Sequence, residues 1–314
     1  MPDMEPTPGL PYPSLTGLGS VLVGGERRAA VLAGPRIGLT GLTGGLDAAI
    51  RAGIDPRDAV VRWVDADTVT LDAPLRPEVV HCLGHTYASH VREKEAAGHT
   101  ADEKPEEPEY FLRAGQTIST PGEPFRLDPA HIAKLDYETE LGIVIGRRTS
   151  RVPAGEALAH VHGYLVVNDL TARERQIRTA ADGTQRMAAD AAKNFDGATL
   201  LGPAVTPAAA VPDPGALEVS TLVNGELKQS DTTAALLFSV AELVSYLSHF
   251  LTLLPGAVVA TGTPGGTGWS TDGALGGTGL TPPGCTPARY LRAGDRLISR
   301  ITGVGEARLE VTAA

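Results

Sequence analysis

Glu138 and Glu140 stand two residues apart in the run Leu135-Asp136-Tyr137-Glu138-Thr139-Glu140-Leu141-Gly142-Ile143-Val144-Ile145-Gly146, which otherwise reads as a buried β-strand. Period 2 puts both carboxylates on one face. Among Leu, Ile, Val and Gly, two adjacent acids repel each other and lose their hydration, a cost that a cation between them removes. For an isolated Glu-x-Glu the plainer reading is an edge strand with both acids in water. A second strand-like run, Gly163-Tyr164-Leu165-Val166-Val167-Asn168-Asp169-Leu170, brings in another acid. Three carboxylates at strand positions make a hard, oxygen-rich site with positions open to water and substrate. Such a site suits Mg²⁺, Mn²⁺ or Ca²⁺ better than Zn²⁺.

The elements that must position these acids follow from pattern. Residues 1–75 carry short apolar runs, a helix near Leu46–Ala52 and a Val60–Leu71 segment with strand-like alternation, which predicts a small N-terminal α/β domain. Its end is placed at Ala73-Pro74-Leu75-Arg76-Pro77, where two prolines precede the apolar run Val79–Leu83. Residues 76–314 read as the chemistry-bearing domain, β-rich α+β with a few helices. Residues 98–109 are charged and proline-punctuated, as a solvated surface loop is. Thr171–Ala192 has helical composition, interrupted at Asp182-Gly183. A longer helix is predicted over Ser239–Leu254, whose apolar residues recur at spacings of 3 and 4 before Pro255-Gly256. Asn224-Gly225 between apolar residues predicts a hairpin turn.

Composition limits the function classes. With 314 residues, 42% of them hydrophobic, the chain can bury a large core. A formal charge of −10 with no Lys/Arg-rich tract argues against a nucleic-acid partner. The first residues lack a basic or apolar leader pattern and no apolar stretch approaches membrane-spanning length, so the expectation is a cytoplasmic protein without a membrane partner. Cys82 and Cys285, far apart, suggest neither a disulfide framework nor a zinc knuckle.

Five ordered blocks together resemble the fumarylacetoacetate hydrolase superfamily over roughly residues 78 to 313. They are Gly84-His85-Thr86-Tyr87-Ala88-Ser89-His90-Val91-Arg92-Glu93, Glu138-Thr139-Glu140, Asn168-Asp169-Leu170-Thr171-Ala172-Arg173-Glu174, Lys193-Asn194-Phe195-Asp196 and Thr261-Gly262-Thr263-Pro264-Gly265-Gly266. The resemblance implies a rolled β-sandwich catalytic domain and a divalent-metal enzyme acting on a small keto acid, usually a homodimer. It also implies that Glu138, Glu140 and Asp169 are the metal-binding carboxylates, with Mg²⁺ the expected ion. His90 and Glu93 match the catalytic His-x-x-Glu pair, which helical spacing puts on one face, so that Glu93 fixes the imidazole tautomer and His90 takes a proton from water. By themselves they would be an ordinary pair on a surface helix. Lys193 matches a lysine beside the metal, suited to stabilising an enolate or carboxylate. Gln176 matches a polar residue that orients water or the substrate carbonyl. Tyr87, Arg113, Thr261 and Thr263 complete the expected substrate contacts, the last two through a turn whose N–H groups would receive a carboxylate.

Two positions depart from the family pattern. Thr86 replaces the usual Asn, and Arg113 stands where Lys is common, offering a planar fork in place of a point charge. The Gly-, Thr- and Pro-rich stretch Trp269–Pro287 is long enough to cover the site or reach a second subunit. His81 and His85 receive no role. The expected reaction is cleavage of a C–C bond in a β-diketo acid such as an acylpyruvate. Alternatives are decarboxylation of an oxaloacetate-like acid or isomerisation of a dienoic acid on the same scaffold, or a non-catalytic keto-acid-binding protein.

Overall fold

The computed structural model describes Tyr12, residues 15–96 and residues 104–314. Residues 16–72 build a five-stranded antiparallel sheet in the order Val60–Asp65, Arg36–Thr43, Glu26–Ala33, Thr16–Val23, Thr70–Asp72, with the predicted helix packed on it as Gly45–Ala52. A central sheet runs Thr199–Leu201, Val161–Asp169, Thr139–Ile145, Val258–Ala260, Val79–Gly84, Glu109–Ala114. A third sheet of five strands runs Glu226–Thr232, Glu218–Val223, Arg296–Ile301, Gly305–Ala313, Phe125–Leu127. The architecture is the expected β-rich one with few helices.

Side-chain alternation explains the layering. On Thr139–Ile145, Leu141, Ile143 and Ile145 pack with Val219, Val223, Leu297 and Ile301 of the third sheet and with Leu243 and Leu247 of a helix. Val144, with Leu165 and Val167 from the neighbouring strand, packs the other way, against Leu18, Ala29, Leu46 and Ala49. Both faces of the central sheet are therefore covered, which is why its strands read as continuous apolar runs. Gly142 shares a face with Val144, and a Cβ there would lie 2.7 Å from both Leu165 Cδ1 and Val167 Cγ2. The two strands approach too closely at that point for a side chain. Glu140 has the parity of Gly142, and Asp169 that of Leu165 and Val167. Glu140 and Asp169 thus look toward one side of the sheet.

The helix predicted over Ser239–Leu254 spans Val240–Phe250, with Ser239 and Glu242 forming a reciprocal cap. It stops short of Leu254 because Leu253 and Thr149 exchange backbone hydrogen bonds of 2.9 Å, pulling the chain into extended form. Phe250 and Leu254, expected on the buried face, are consequently exposed. Thr171–Ala192 is not mainly helical. Ile177–Thr179 pairs with Gln185–Met187 as a small hairpin, and helix is limited to a 3-10 turn at Arg173–Arg175 and the short α-helix Ala189–Lys193. At the hairpin tip Asp182 Oδ1 accepts the Thr184 N–H and Gly183 takes a φ of 85°, local turn chemistry that outweighs helical propensity. The Asn224-Gly225 turn forms as expected, with φ of 54° and 82°. Of the loop expected at 98–109, residues 98–103 lie outside the described residues. Among the described residues no helix is long and apolar enough to cross a membrane.

Candidate functional site

Strand register assembles the three acids. Thr139 pairs with Asn168, so Glu138 and Asp169 stand opposite each other just past that pair, joined by an Asp169 N–H to Glu138 carbonyl bond of 2.8 Å. Glu140 follows two residues on. Carboxylate oxygens of Glu138, Glu140 and Asp169 lie within 4.8 Å of one another, and all three side chains are buried. Asn168, pointing the other way, fixes this corner by accepting the Glu138 N–H and donating to Ser299 Oγ at 2.8 Å.

Cations surround the cluster unevenly. Lys193 Nζ donates to Glu138 Oε2 at 2.6 Å, to Asp169 Oδ2 at 2.5 Å and to Thr171 Oγ1 at 3.1 Å. Arg173 bonds Glu138 Oε1 and, through Nε, Asp136 Oδ2 at 2.7 Å. Burial alone would push the Glu138 carboxyl up, but Lys193 and Arg173 outweigh it and hold Glu138 well below the usual carboxylate range. Glu140 has no such partner. Burial, then the charges of Asp169 and Glu138, push its carboxyl well above the usual range, and its Oε2 accepts one backbone N–H, from Gly262 at 2.8 Å. Asp169 Oδ1 accepts no hydrogen bond, although Arg113 Nε lies 2.6 Å away outside hydrogen-bond geometry. A buried Glu140 crowded by Asp169 and Glu138, with no cationic side chain hydrogen-bonded to it, fits a hard divalent cation bound by Glu138, Glu140 and Asp169.

The helix Ala88–Ala96 carries the second half of the site. His90 Nδ1 lies 3.3 Å from Glu93 Oε2, and both side chains are buried. Glu93 Oε1 also accepts the Gly266 N–H at 2.7 Å, so one carboxylate ties the imidazole to the Thr261–Gly266 turn. The Trp269 ring meets His90 edge-on, with centroids 6.2 Å apart. His90 Nε2 takes no protein partner among the described residues and borders a cavity of about 500 Å³. Glu138, Glu140, Asp169, Lys193, Gln176 and Thr263 line the same cavity, so the expected metal ligands, His90, Lys193 and two of the expected contact residues meet in one space, with Glu93 behind His90.

Three expected contacts do not reach it. Arg113 is fully buried, and its guanidinium bonds Thr199 Oγ1 at 2.8 Å, the Leu170 carbonyl at 2.6 Å and the Ala198 carbonyl. It braces the back of Asp169 in place of binding substrate. Replacing Arg113 by Leu is expected to cost about 3–5 kcal/mol, since Asp169 and these acceptors are left stranded in the interior; comparative thermal unfolding checks it. Tyr87 is buried at the foot of the helix, where it pairs with Leu236, and burial pushes its phenol up. Thr261 donates to the Leu141 carbonyl at 2.9 Å and stays in the sheet. The turn's N–H groups are also largely committed: Gly262 to Glu140, Gly265 to Ser89 Oγ and Gly266 to Glu93. Thr263 N–H remains without a protein acceptor among the described residues.

Sequence reasoning passed over Arg173, Asp136 and His85. Asp136 accepts from Arg173 and from the N–H groups of Gly268 and Trp269, at 2.6 and 2.9 Å, so it connects the start of the Trp269–Pro287 stretch to Glu138 through one guanidinium. A signal was present, because Asp136-x-Glu138-x-Glu140 places three acids at period 2. His85, at a φ of 55°, lines the cavity and pairs with Glu109 at 2.9 Å.

Known proteins share this arrangement of sheets. A fumarylacetoacetate hydrolase from psychrophilic Exiguobacterium antarcticum superposes with a TM-score of 0.72 at 30% identity, covering 96% of this chain and 100% of that one. Fumarylpyruvate hydrolase from Pseudomonas aeruginosa, solved in complex with Mn²⁺ and pyruvate, gives 0.61 at 30% identity over 79% of this chain and 93% of its own. The oxaloacetate tautomerase YisK of Bacillus subtilis is 35% identical over 239 residues, 76% of this chain and 71% of that protein. The model of the fumarylacetoacetate (FAA) hydrolase C-terminal region matches residues 79–312, and the chain belongs to that family.

Proposed function

We propose that the protein is a divalent-metal-dependent hydrolase that cleaves a C–C bond in a β-diketo acid of the acylpyruvate type. The observation that carries this reading is His90, held by Glu93, lining one cavity together with the carboxylate trio. A Mg²⁺ or Mn²⁺ ion held by Glu138, Glu140 and Asp169 would supply Lewis acidity toward the α-keto acid end. Arg173 and Lys193 bring positive charge to that end and orient the substrate carboxylate, with Thr263 N–H as a further donor. Glu93 accepts at His90 Nδ1, which leaves Nε2 to take a proton from a water attacking the distal carbonyl. Breaking the adjacent C–C bond leaves an enolate, whose charge Lys193 Nζ meets.

A second reading has its own support in the 35% identity to an oxaloacetate tautomerase. There His90 would move a proton between carbon and oxygen of the same enolate, and no bond between carbons would break. Turnover of acetylpyruvate, fumarylpyruvate and oxaloacetate, with Mn²⁺ and after EDTA, separates the two. Metal-dependent release of two acids from a diketo acid is expected; enol–keto interconversion of oxaloacetate without cleavage of any diketo acid would establish the second reading instead.

A further inference from the structure

We infer that the substrate is a keto acid with a single anionic end and an apolar tail of several carbons, not a short diacid. The inference rests on the keto-acid reading of the carboxylate end, and it disfavours oxaloacetate, a four-carbon diacid, as the substrate. A space of about 500 Å³ lies in the ~300–1,000 Å³ range that encloses ligands far larger than a four-carbon acid. Its apolar lining includes Val91, Ile177, Ala189 and Leu275, with Phe111 under Lys193 Nζ at 5.1 Å beside the trio. The two cations on the wall, Arg173 and Lys193, both sit at the trio, where the first carboxylate belongs. Among the described residues no Lys or Arg lines the apolar part.

The mouth adds a second argument. Glu109 lines the cavity with its side chain 61% exposed, and His85 Nδ1 pairs with it at 2.9 Å. That pair is held in place: His85 adopts the left-handed region, its ring stacks on His90 with centroids 6.2 Å apart, and Thr86 Oγ1 anchors the next residue to the Thr261 carbonyl at 2.5 Å. A protonated His85 at most cancels the Glu109 charge. A second substrate carboxylate arriving here would meet a carboxylate and gain no cation.

Calorimetric binding to the full chain loaded with Mn²⁺ tests this with unreactive probes. From α-ketobutyrate through α-ketovalerate to α-ketohexanoate, affinity is expected to rise roughly fourfold per methylene, the effect of burying one CH₂. α-Ketoglutarate is expected to bind at least tenfold more weakly than α-ketovalerate, which has the same number of carbons, and Glu109→Gln to narrow that gap. A flat monoacid series, or a diacid that binds as well as its monoacid, overturns the inference while leaving the keto-acid site standing. Failure of pyruvate itself to bind overturns the keto-acid reading and this inference with it.

Discussion

Glu140→Gln is expected to weaken Mn²⁺ or Mg²⁺ binding by more than the ~10–100-fold that loss of a supporting hydrogen-bond partner typically costs, and to remove turnover. The reason lies in how charge is distributed. Glu138 shares its oxygens with Lys193 and Arg173, and Asp169 has Lys193 on one oxygen and Arg113 beside the other, whereas no cationic side chain hydrogen-bonds Glu140 among the described residues. Its charge is the one a divalent ion must answer. Without the ion, burial and the charges of Asp169 and Glu138 push its carboxyl well up, so at any pH where it stays protonated the ion has to displace that proton. Metal uptake is therefore expected to release protons, and apparent affinity to rise with pH through the interval in which Glu140 loses its proton. The sign follows from mass action: a proton competing for the same oxygens weakens metal binding where it is bound, at lower pH. Metal titrations at several pH values, in buffers of different ionisation enthalpy, measure both quantities. In Glu140→Gln the proton release should disappear. A Glu138→Gln/Glu140→Gln double variant that still bound Mg²⁺ normally would sink the ligand assignment.

The acids were legible because strand alternation is a strict geometric rule. Once Leu135–Gly146 and Gly163–Leu170 read as strands, the parity of Glu138, Glu140 and Asp169 followed, and register alone brought them together. The Ser239 cap and the Asn224-Gly225 turn were equally local and equally readable. What failed depended on distant partners. Arg113 looked like a substrate contact, but which way an arginine points on a strand is decided by acceptors elsewhere, here Thr199, Leu170 and Ala198, more than fifty residues away. The helix over Ser239–Leu254 ended early because of Thr149, about a hundred residues back, and Thr171–Ala192 folded as a hairpin where composition alone favoured helix. Arg173 was visible as a residue but not as a partner, since its acidic acceptors, Asp136 and Glu138, lie more than thirty residues back in the chain.

His90→Gln is expected to lower kcat by ~10²–10⁴ while changing KM for a diketo acid little, because the general base acts on water and not on substrate binding. Glu93→Gln should come close to the same loss for a different reason. The Glu93 carboxylate accepts both the Gly266 N–H and the proton on His90 Nδ1. An amide at that position keeps one acceptor for Gly266 and presents its NH₂ to Nδ1, which forces the imidazole proton onto Nε2, where it blocks proton uptake. A purely structural role for Glu93 would instead appear as a fall in melting temperature and a raised KM, with kcat restored where the protein is folded. The same variants divide the two reactions. Under hydrolysis, His90→Gln stops C–C cleavage, and exchange of the substrate's acidic C–H protons with D₂O, followed by NMR, continues, since Lys193 and a divalent ion held by the carboxylate trio would still stabilise the enolate end. Under tautomerisation, His90 itself moves the carbon-bound proton, and exchange falls together with turnover. Exchange that persists undiminished in His90→Gln while keto–enol conversion of oxaloacetate also persists would remove His90 from both mechanisms.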